Sequence, residues 1–473
     1  MTLQALDASP VLAAAREALG PGPAWVVGGA VRDALLGEEV GSVDLAVEPG
    51  TEREAARAIA RAADGFAFPL SEEHASWRAA GRDGDWHADV VALRAETIEG
   101  DLRERDFTID AIAVPLAGGD PIDPTGGIDD AGARLLRPVS ERCFGDDPLR
   151  LLRAPRLAAR HRLELAPETV ALARAEAGRA TEAAGERQFA ELRGIVTGPE
   201  PIRGLAVMDE LEVTPAVLPE LAGLRGVVQN PNHHLDVHGH TLVVLEHVLE
   251  LEANLERFCG DEADRVAELL DEPLADELTR GGALRFGALL HDIGKPATRE
   301  ERGSYVTFIG HDQAGAEMIA SACRRLRTSR RLSEHLQGLA LHHLRLGFLV
   351  HERPLSRRRV YDYLRETDPV GPDVTLLTAA DRLSARGEGE LASAEMIEAH
   401  LELVREILPA ALDWHRDGVP SPPIDGDQVA TDIGVRPGPE MGRILEELRA
   451  ASFAGEISGR EEALALAREL AGG

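Results

Sequence analysis

Strand-like segments concentrate in residues 1–135 of this 473-residue chain. There "AWVVGG", "SVDLAVE", "GFAFPL" and "WHADVVALR" form short apolar runs bounded by turn residues and acids, and "TEREAARAIARAAD" has the spacing of an amphipathic helix. From residue 136 onward the strand pattern nearly vanishes. "TVALARAEAGRATEAAGERQFAELRGIV" reads as helix, "TGPEP" and "VVQNPNHH" as breaks, and "DWHRDGVPSPPIDGD" as a proline-rich linker ahead of the helical "PEMGRILEELRAASF". Any sizeable sheet must therefore come from the first part of the chain. The predicted class is α+β: a small α/β head on a long helical body, with no solenoid repeat and no low-complexity tract.

The length suggests two to four domains at about 100–200 residues each. With 44% hydrophobic residues, sizeable cores are possible, and the abundance of Ala, Leu, Arg and Glu favours helices. The formal net charge is −31, so the surface as a whole repels nucleic acid, and any RNA contact requires a local basic patch. Cys143, Cys259 and Cys323 lie far apart and match no zinc or redox spacing, which points to a reduced, cytoplasmic setting. The first twenty residues lack a signal-peptide pattern. No apolar run reaches the roughly 18 residues of a membrane span.

In "VVGGAVRD" a strand ends at Gly28-Gly29 and a helix begins. Glycines let backbone approach phosphate oxygens, the helix N-terminus adds partial positive charge, and Arg32 adds a forked donor. A plain strand–turn–helix corner carries the same local signature. Residues 42 and 44 in "SVDLAVE" share a strand face. Two acids there would suit a two-metal phosphoryl transfer, but only Asp44 is acidic and the other position is Ser42. Asp89 in "WHADVVALR" is the candidate third carboxylate.

Then follow "DLRERDFTIDAIA", "IDPTGGIDDAGARLLRPV" and "CFGDDPLRLLRAPRL". In this order the motifs resemble those of the CCA-adding tRNA nucleotidyltransferases and bacterial poly(A) polymerases, of the class whose head is followed by helical neck, body and tail. The resemblance implies that Gly28, Gly29 and Arg32 meet a triphosphate and that Asp44 binds metal with Asp89 assisting. It implies that Arg105 contacts the nucleotide, that Asp147 and Arg150 read the base of CTP or ATP, and that Arg153 and Arg156 line the same cleft. The residues agree with this. Arg150, Arg153, Arg156 and Arg160 recur at helical spacing, and eight arginines against three acids lie between Arg134 and Arg162. Asp147 before Pro148 also makes a good helix N-cap.

Four departures from the family pattern stand out. Ser42 is a neutral, weak ligand where hard cations prefer anionic oxygen. The segment "LRAETIEGDLRERD" is short where the family has a longer mobile loop tied to the switch from adding C to adding A. Glu104 and Asp110 move charge toward negative beside the nucleotide, and Asp110 is a possible partial replacement for the missing acid. Pro155 lies inside the arginine helix and should bend it.

The helical part carries a second set: His240 in "HHLDVHGHT", His291-Asp292 in "ALLHDIGKP", His311 in "FIGHDQAG", His342-His343 in "LALHHLRLG" and Asp381 in "LLTAADRLSARG". Ligands spread over several helices can converge in a bundle core. This order resembles the HD phosphohydrolases. The resemblance implies one metal held by His240, His291, Asp292 and Asp381, a second through His311 and His342 with Asp292 between, and Lys295 meeting a substrate phosphate. The tail "PIDGDQVATDIGVRPGPEMG…" is similar to the segment that follows the HD domain in many bacterial nucleotidyltransferases.

The expected division is a nucleotidyltransferase head (1–135), a helical neck binding nucleotide and RNA (136–225), an HD domain (226–410), and a linker with helical tail (411–473). The first functional reading is a template-independent RNA nucleotidyltransferase using Mg²⁺ and ATP or CTP on a tRNA 3′ end, adding CCA, CC or A, fused to an HD phosphohydrolase holding one or two divalent transition metals. The second is a degenerate head serving as RNA- or nucleotide-binding module for an active HD phosphoesterase. An RNA-binding protein with both sites decayed is the third. The sequence leaves the oligomeric state open.

Overall fold

The computed structural model describes Leu3, Leu6 and residues 9–71, 76–84, 86–303 and 305–472. The chain divides into two compact units, Met1–Val217 and Leu218–Gly473.

The first unit opens with α1 (Pro10–Leu19), β1 (Ala24–Val27), α2 (Gly29–Leu36), β2 (Val43–Val47), α3 (Glu52–Ala62), β3 (Gly65–Ser71), β4 (Ser76–Gly81), β5 (His87–Ala92), α4 (Ile98–Arg103) and β6 (Ala113–Pro115). The strands form one sheet in the order β3-β4-β5-β2-β1-β6, with β2 and β5 parallel and the other neighbours antiparallel. All four expected strands are present. The sequence reading missed β4 and β6; half of "SWRAAG" is Ala and Gly, and it lacks the β-branched run that marks a strand.

Ala55, Ala56, Ile59 and Ala60 form the buried stripe of α3, which packs on β3, β4 and β5. The stripe recurs at i, i+1, i+4 and i+5, so one helical face meets the sheet. On the other face, Val27 and Ala46 join Ile98 and Leu102 of α4 in a second core cluster. Burying each Leu or Ile in such layers contributes about 1.5–3 kcal/mol. Towards β4 and β3 this second face carries polar and aromatic side chains instead.

Beyond the sheet come α5 (Arg150–Arg160), α6 (Gly185–Val196) and α7 (Pro201–Glu210), packed on one another. Leu151, Leu152, Leu157 and Ala158 bury the inner side of α5. The helix continues through Pro155, which is itself buried. The long helical stretch expected from residue 169 is broken by a 3₁₀ turn at Ala177–Glu182.

The second unit is helical apart from two-stranded pieces of two or three residues per strand. Its main helices are α8 (Val237–Ala253), α9 (Arg280–Leu290), α10 (His311–Arg325), α11 (Arg330–His342), α12 (Arg357–Thr367), α13 (Gly371–Ser384) and α14 (Ala394–Asp417). Side-chain caps start several of them: Asp236 accepts from Gly239 N, Thr279 from Gly282 N, and Ser329 from Leu332 N. The "DWHRD" expected in the linker belongs to α14, which runs to Asp417, and buried Trp414 anchors its end. After it, α15 (Gly426–Ile433), α16 (Pro439–Ala454) and α17 (Arg460–Gly472) close on a small core of Val429, Met441, Ile444, Leu448 and Leu464.

Candidate functional site

In the head, β1 ends at Val27 and the chain turns through Gly28, at φ +65°, into α2. Side chains other than glycine rarely adopt that φ. A Cβ on Gly28 would also stand 3.2 Å from both Asp44 Oδ2 and Arg105 Nη1. The turn therefore presses backbone against the one acid of β2 and a guanidinium. These residues open a cleft of about 960 Å³, lined by Gly28, Gly29, Asp44, Arg105, Asp147, Arg150 and Arg153. Asp106, Asp110 and Arg187 also line it. The sequence reading assigned none of these three to the nucleotide, and only Asp110 stood out.

Asp44 lies opposite Val27 on β1 and Asp89 on β5. Burial pushes its carboxyl pKa up, and the negative charges of Asp89 and Asp110 add to this against the pull of Arg105. Such a group gains from a nearby cation. Ser42 lies one residue before β2 and is exposed. Asp89 is held by Arg78, its register partner on β4, through two parallel bonds, Nε–Oδ1 at 2.6 Å and Nη2–Oδ2 at 2.7 Å. Arg78 was not anticipated, because its strand was not.

Two arginines expected in the cleft lie elsewhere. Arg32 is 7% exposed and donates to Asp33 at 2.9 Å and to Asp110 Oδ1 at 2.7 Å. Burial lowers its pKa, but Asp110 and Asp33 outweigh that and the net shift is upward. Two carboxylates claim the guanidinium, so it positions Asp110 rather than facing the cleft. Arg156 pairs with Glu191 of α6 at 2.5 Å. The reason is helical phase. At about 100° per residue, each step of three falls about 60° short of a full turn, so Arg156 points about 120° away from Arg150.

Arg150 donates to the carbonyls of Cys143 and Glu104, and Arg153 pairs with Asp106. Arg105 is held by Asp101 at 2.9 Å. Asp147 accepts from Leu149 N at 3.1 Å and faces Arg187 at 3.3 Å, so it is both a turn cap and a cleft residue.

In the second unit the side chains of His240 (α8), His291 and Asp292 (after α9), His311 (the start of α10), His343 (after α11) and Asp381 (α13) converge. Gly294 allows part of this: a Cβ there would stand 2.1 Å from the His311 carbonyl oxygen. Two groups of close ligand atoms result, His240–His291–Asp381 and Asp292–His311–His343. Asp292 spans them. Its Oδ2 lies 3.5 Å from His240 Nε2 and 3.2 Å from His291 Nε2, while its Oδ1 lies 3.4 Å from His311 Nε2 and 3.8 Å from His343 Nε2.

His343, and not the expected His342, belongs to this cluster. The two follow each other at the end of α11, where consecutive side chains diverge by about 100°. His342 instead lies in the field of Arg345, Glu366 and Asp312, with burial the main cause of its lowered pKa.

Three imidazoles are oriented alike. His291, His311 and His343 each place Nδ1 at 2.6–2.9 Å from the backbone carbonyl three residues earlier. With Nδ1 donating, each Nε2 presents a lone pair to the cluster. The Nε2 atoms of His311 and His343 then face each other at 3.3 Å, which two lone pairs do not tolerate without a cation or proton between them. His291 Nε2 and Asp292 Oδ1 are buried without a hydrogen-bond partner, while His240 Nε2 lies 3.0 Å from Asp381 Oδ1. Burial drives the His343 pKa down to about 4, with neighbouring His291 adding to the shift. The donor set, neutral imidazoles around carboxylates, fits divalent transition metal.

Asp292 and Asp381 stay ionised. Burial raises both carboxyls, yet His291 and Lys295 hold Asp292, and His240 holds Asp381, well below the usual range. Lys295 lies 2.6 Å from Asp292 and 2.8 Å from Gln229. The cluster opens to a cavity of about 520 Å³ that includes His233, Lys295, Arg345, Phe348 and Arg382. His233, missed in the sequence, packs edge-on against His240 with ring centroids 4.6 Å apart.

Family models match three parts of the chain: the Poly A polymerase head domain over residues 24–137, the probable RNA and SrmB-binding site of polymerase A over 162–224, and the HD domain over 240–386. The A-adding tRNA nucleotidyltransferase of Deinococcus radiodurans is 33% identical over 95% of this chain and 96% of its own length. The CC-adding tRNA nucleotidyltransferase of Thermus thermophilus is also 33% identical, over 94% and 93%. The multifunctional CCA protein of Xanthomonas campestris is 31% identical over 91% and 98%. Among solved structures, a CCA-adding enzyme with ATP matches at a TM-score of 0.65 and 21% identity over 98% of this chain and 96% of that one. The Thermotoga maritima enzyme complexed with tRNA matches at 0.60 and 21% over 99% and 97%. These two show the same fold.

Proposed function

We propose a function from the premise that this chain belongs to the CCA-adding tRNA nucleotidyltransferase family. It is an enzyme of the nucleotidyltransferase type, and its head extends the 3′ end of tRNA from ATP or CTP without a nucleic-acid template. The observation that carries this is the cleft in which Gly28, Asp44 and Arg105 meet opposite Asp147, Arg150 and Arg153. We assign the expected four-part division, head, neck, HD domain and tail, to the same reading.

In the reaction the RNA 3′-hydroxyl attacks the α-phosphorus of the nucleotide and pyrophosphate leaves. Backbone at Gly28 and Gly29 and the Arg105 guanidinium hold the triphosphate. Asp147 and Arg150 face the base edge, and Arg153, braced by Asp106, closes the cleft wall. Arg32 holds Asp110 in place. Asp44 would hold Mg²⁺, which when bound neutralises charge developing on the phosphate. Ser42 and the Arg78-bound Asp89 leave Asp44 as the main anionic oxygen for it.

Relatives of nearly equal similarity include an A-adding, a CC-adding and a multifunctional protein. The short segment between Arg94 and Asp101 favours partial addition, of CC or of A. The test is incorporation of labelled CTP and ATP into tRNA ending at the discriminator base, at CC and at CCA. Addition of one part only, lost in Asp44→Ala, is expected. Complete CCA addition would overturn the narrowing, and no incorporation would overturn the transferase reading.

A second reading concerns the other unit and rests on the unsatisfied donor atoms of the cluster. His240, His291, Asp292 and Asp381 would hold one divalent transition metal, and His311 and His343 with Asp292 a second. Bound metal would supply an activated water for phosphoester hydrolysis. Lys295 and Arg345 at the cavity would orient the phosphate. Failure of the protein to cleave any of a 2′-nucleotide, a 2′,3′-cyclic nucleotide or a simple phosphodiester with manganese, nickel and cobalt each supplied would count against this.

A further inference from the structure

Registered neighbours in a sheet direct their side chains to the same face. Following register outward from the catalytic acid gives one row across the head sheet: Asp44 on β2, Asp89 on β5, Arg78 on β4 and Phe68 on β3. Phe66, two residues before Phe68, shares that face. The two phenyl rings stack with centroids 5.7 Å apart and planes 21° from parallel. Phe66 is 51% exposed on β3, whose one sheet neighbour among the described residues is β4. The opposite face is covered by α3, where Arg53 and Arg57 lie over Trp77. A chain with 4% aromatic residues thus places a near-parallel phenylalanine pair, Phe66 exposed and Phe68 half-buried, in line with Asp44.

We propose that this open face is a stacking platform for the single-stranded 3′ end of the RNA acceptor, with Phe68 and Phe66 carrying bases three or four nucleotides upstream of the reacting end. The proposal rests on the head being the transferase. Three inter-strand steps of about 4.8 Å separate Asp44 from Phe68, about 14 Å in all. That matches roughly four stacked nucleotides at about 3.4 Å each. Base–aromatic stacking needs no positive charge and tolerates any base. It gives a chain of net charge −31 a hold on RNA that its overall electrostatics deny. The bidentate Arg78 offsets the charge of Asp89, the acid an RNA strand would cross on the way.

The test uses the full-length protein and an acceptor-stem RNA with a single-stranded 3′ extension carrying 2-aminopurine three or four nucleotides from its end. Quenching on binding to the wild type is expected. In the Phe66→Ala/Phe68→Ala double variant the quenching disappears and the KM for RNA rises about tenfold or more, while kcat and the KM for nucleotide stay within about twofold. Phe66→Leu/Phe68→Leu keeps apolar bulk and should fail equally; Phe66→Trp/Phe68→Tyr should restore both readouts. Unchanged quenching and RNA KM in the double-alanine variant would overturn the proposal. So would a change in sedimentation with RNA affinity intact, which would make the face a contact between copies of this chain. A wild type that binds and quenches but incorporates nothing fails the transferase reading alone.

Discussion

The two candidate sites handle charge in opposite ways. In the head, protein arginines answer most acids of the cleft region: Arg78 holds Asp89, Arg32 holds Asp110, Arg153 holds Asp106 and Arg105 holds Asp101. Asp44 is left with burial and like charges raising its pKa. In the helical unit the balance stays open. Two carboxylates and four imidazoles crowd together, several of their atoms lack hydrogen-bond partners, and Lys295 is the cation nearest Asp292. In the head most acids are thus answered by protein arginines, whereas the cluster leaves imidazole and carboxylate atoms facing one another. Burying unpaired polar atoms is costly, so an arrangement of this kind persists where a ligand repays it.

The sharpest break of this comparison is at Asp44. Asp44→Ala should lower nucleotide incorporation by about 10³-fold, the equivalent of several kcal/mol of transition-state stabilisation, while Ser42→Asp should raise it. Equal activity in all three proteins would show that the head's acids do not carry the reaction. Next in size is the histidine pair. His343→Ala should weaken Co²⁺ binding, followed by visible absorption, by about 100-fold or more, the upper end of what losing even an outer partner of a metal site costs; His342→Ala should leave it nearly unchanged. A reversed result would remove His343 from the cluster. Dialysis against chelator should lower the stability of the second unit by about 2.7 kcal/mol relative to metal at a hundredfold excess over its Kd, with the first unit's transition unmoved. Hydrogen exchange resolves the two.

The smallest effect concerns His161, which follows α5 and is buried against Glu38 and Asp33. Its Nδ1 lies 2.7 Å from Glu38, a contact that alone would favour the imidazolium. Burial first, then Arg32, Arg160, Arg156 and Arg134, win instead and press its pKa down to about 3. His161 is thus neutral, donates Nδ1–H to Glu38 and leaves Nε2 bare. Because the folded pKa lies below the unfolded value near 6.5, the unfolded chain takes up the proton first. Stability therefore falls as pH drops from about 6.5 towards about 3, by at most about 1.4 kcal/mol per pH unit from this group. Denaturation followed across that window should show the slope, and His161→Gln should flatten it; an unchanged slope would remove His161 as its source.

How much of this was legible varies from element to element. Four of the six head strands were readable, because each carries an apolar run bounded by turn residues. The strand holding Arg78 was not, since Ala and Gly occupy its inward positions. The order of His and Asp residues along the helices pointed to a metal cluster, and the turn at Gly28-Gly29 pointed to the cleft.

Periodicity, capping residues and the sequence of motifs are properties of neighbours along the chain, so the α+β class, the helical second unit, the family and most members of the His/Asp cluster follow from the amino-acid order alone. Partnerships between side chains distant in sequence do not. Whether Arg32 faces a phosphate or Asp110, whether Asp89 is free or held by Arg78, whether His342 or His343 enters the cluster, and whether Phe66 and Phe68 are core or surface depended on which charges and faces the fold brought within a few ångströms. Those short-range energies exist only once the strands are in register and the helices in phase.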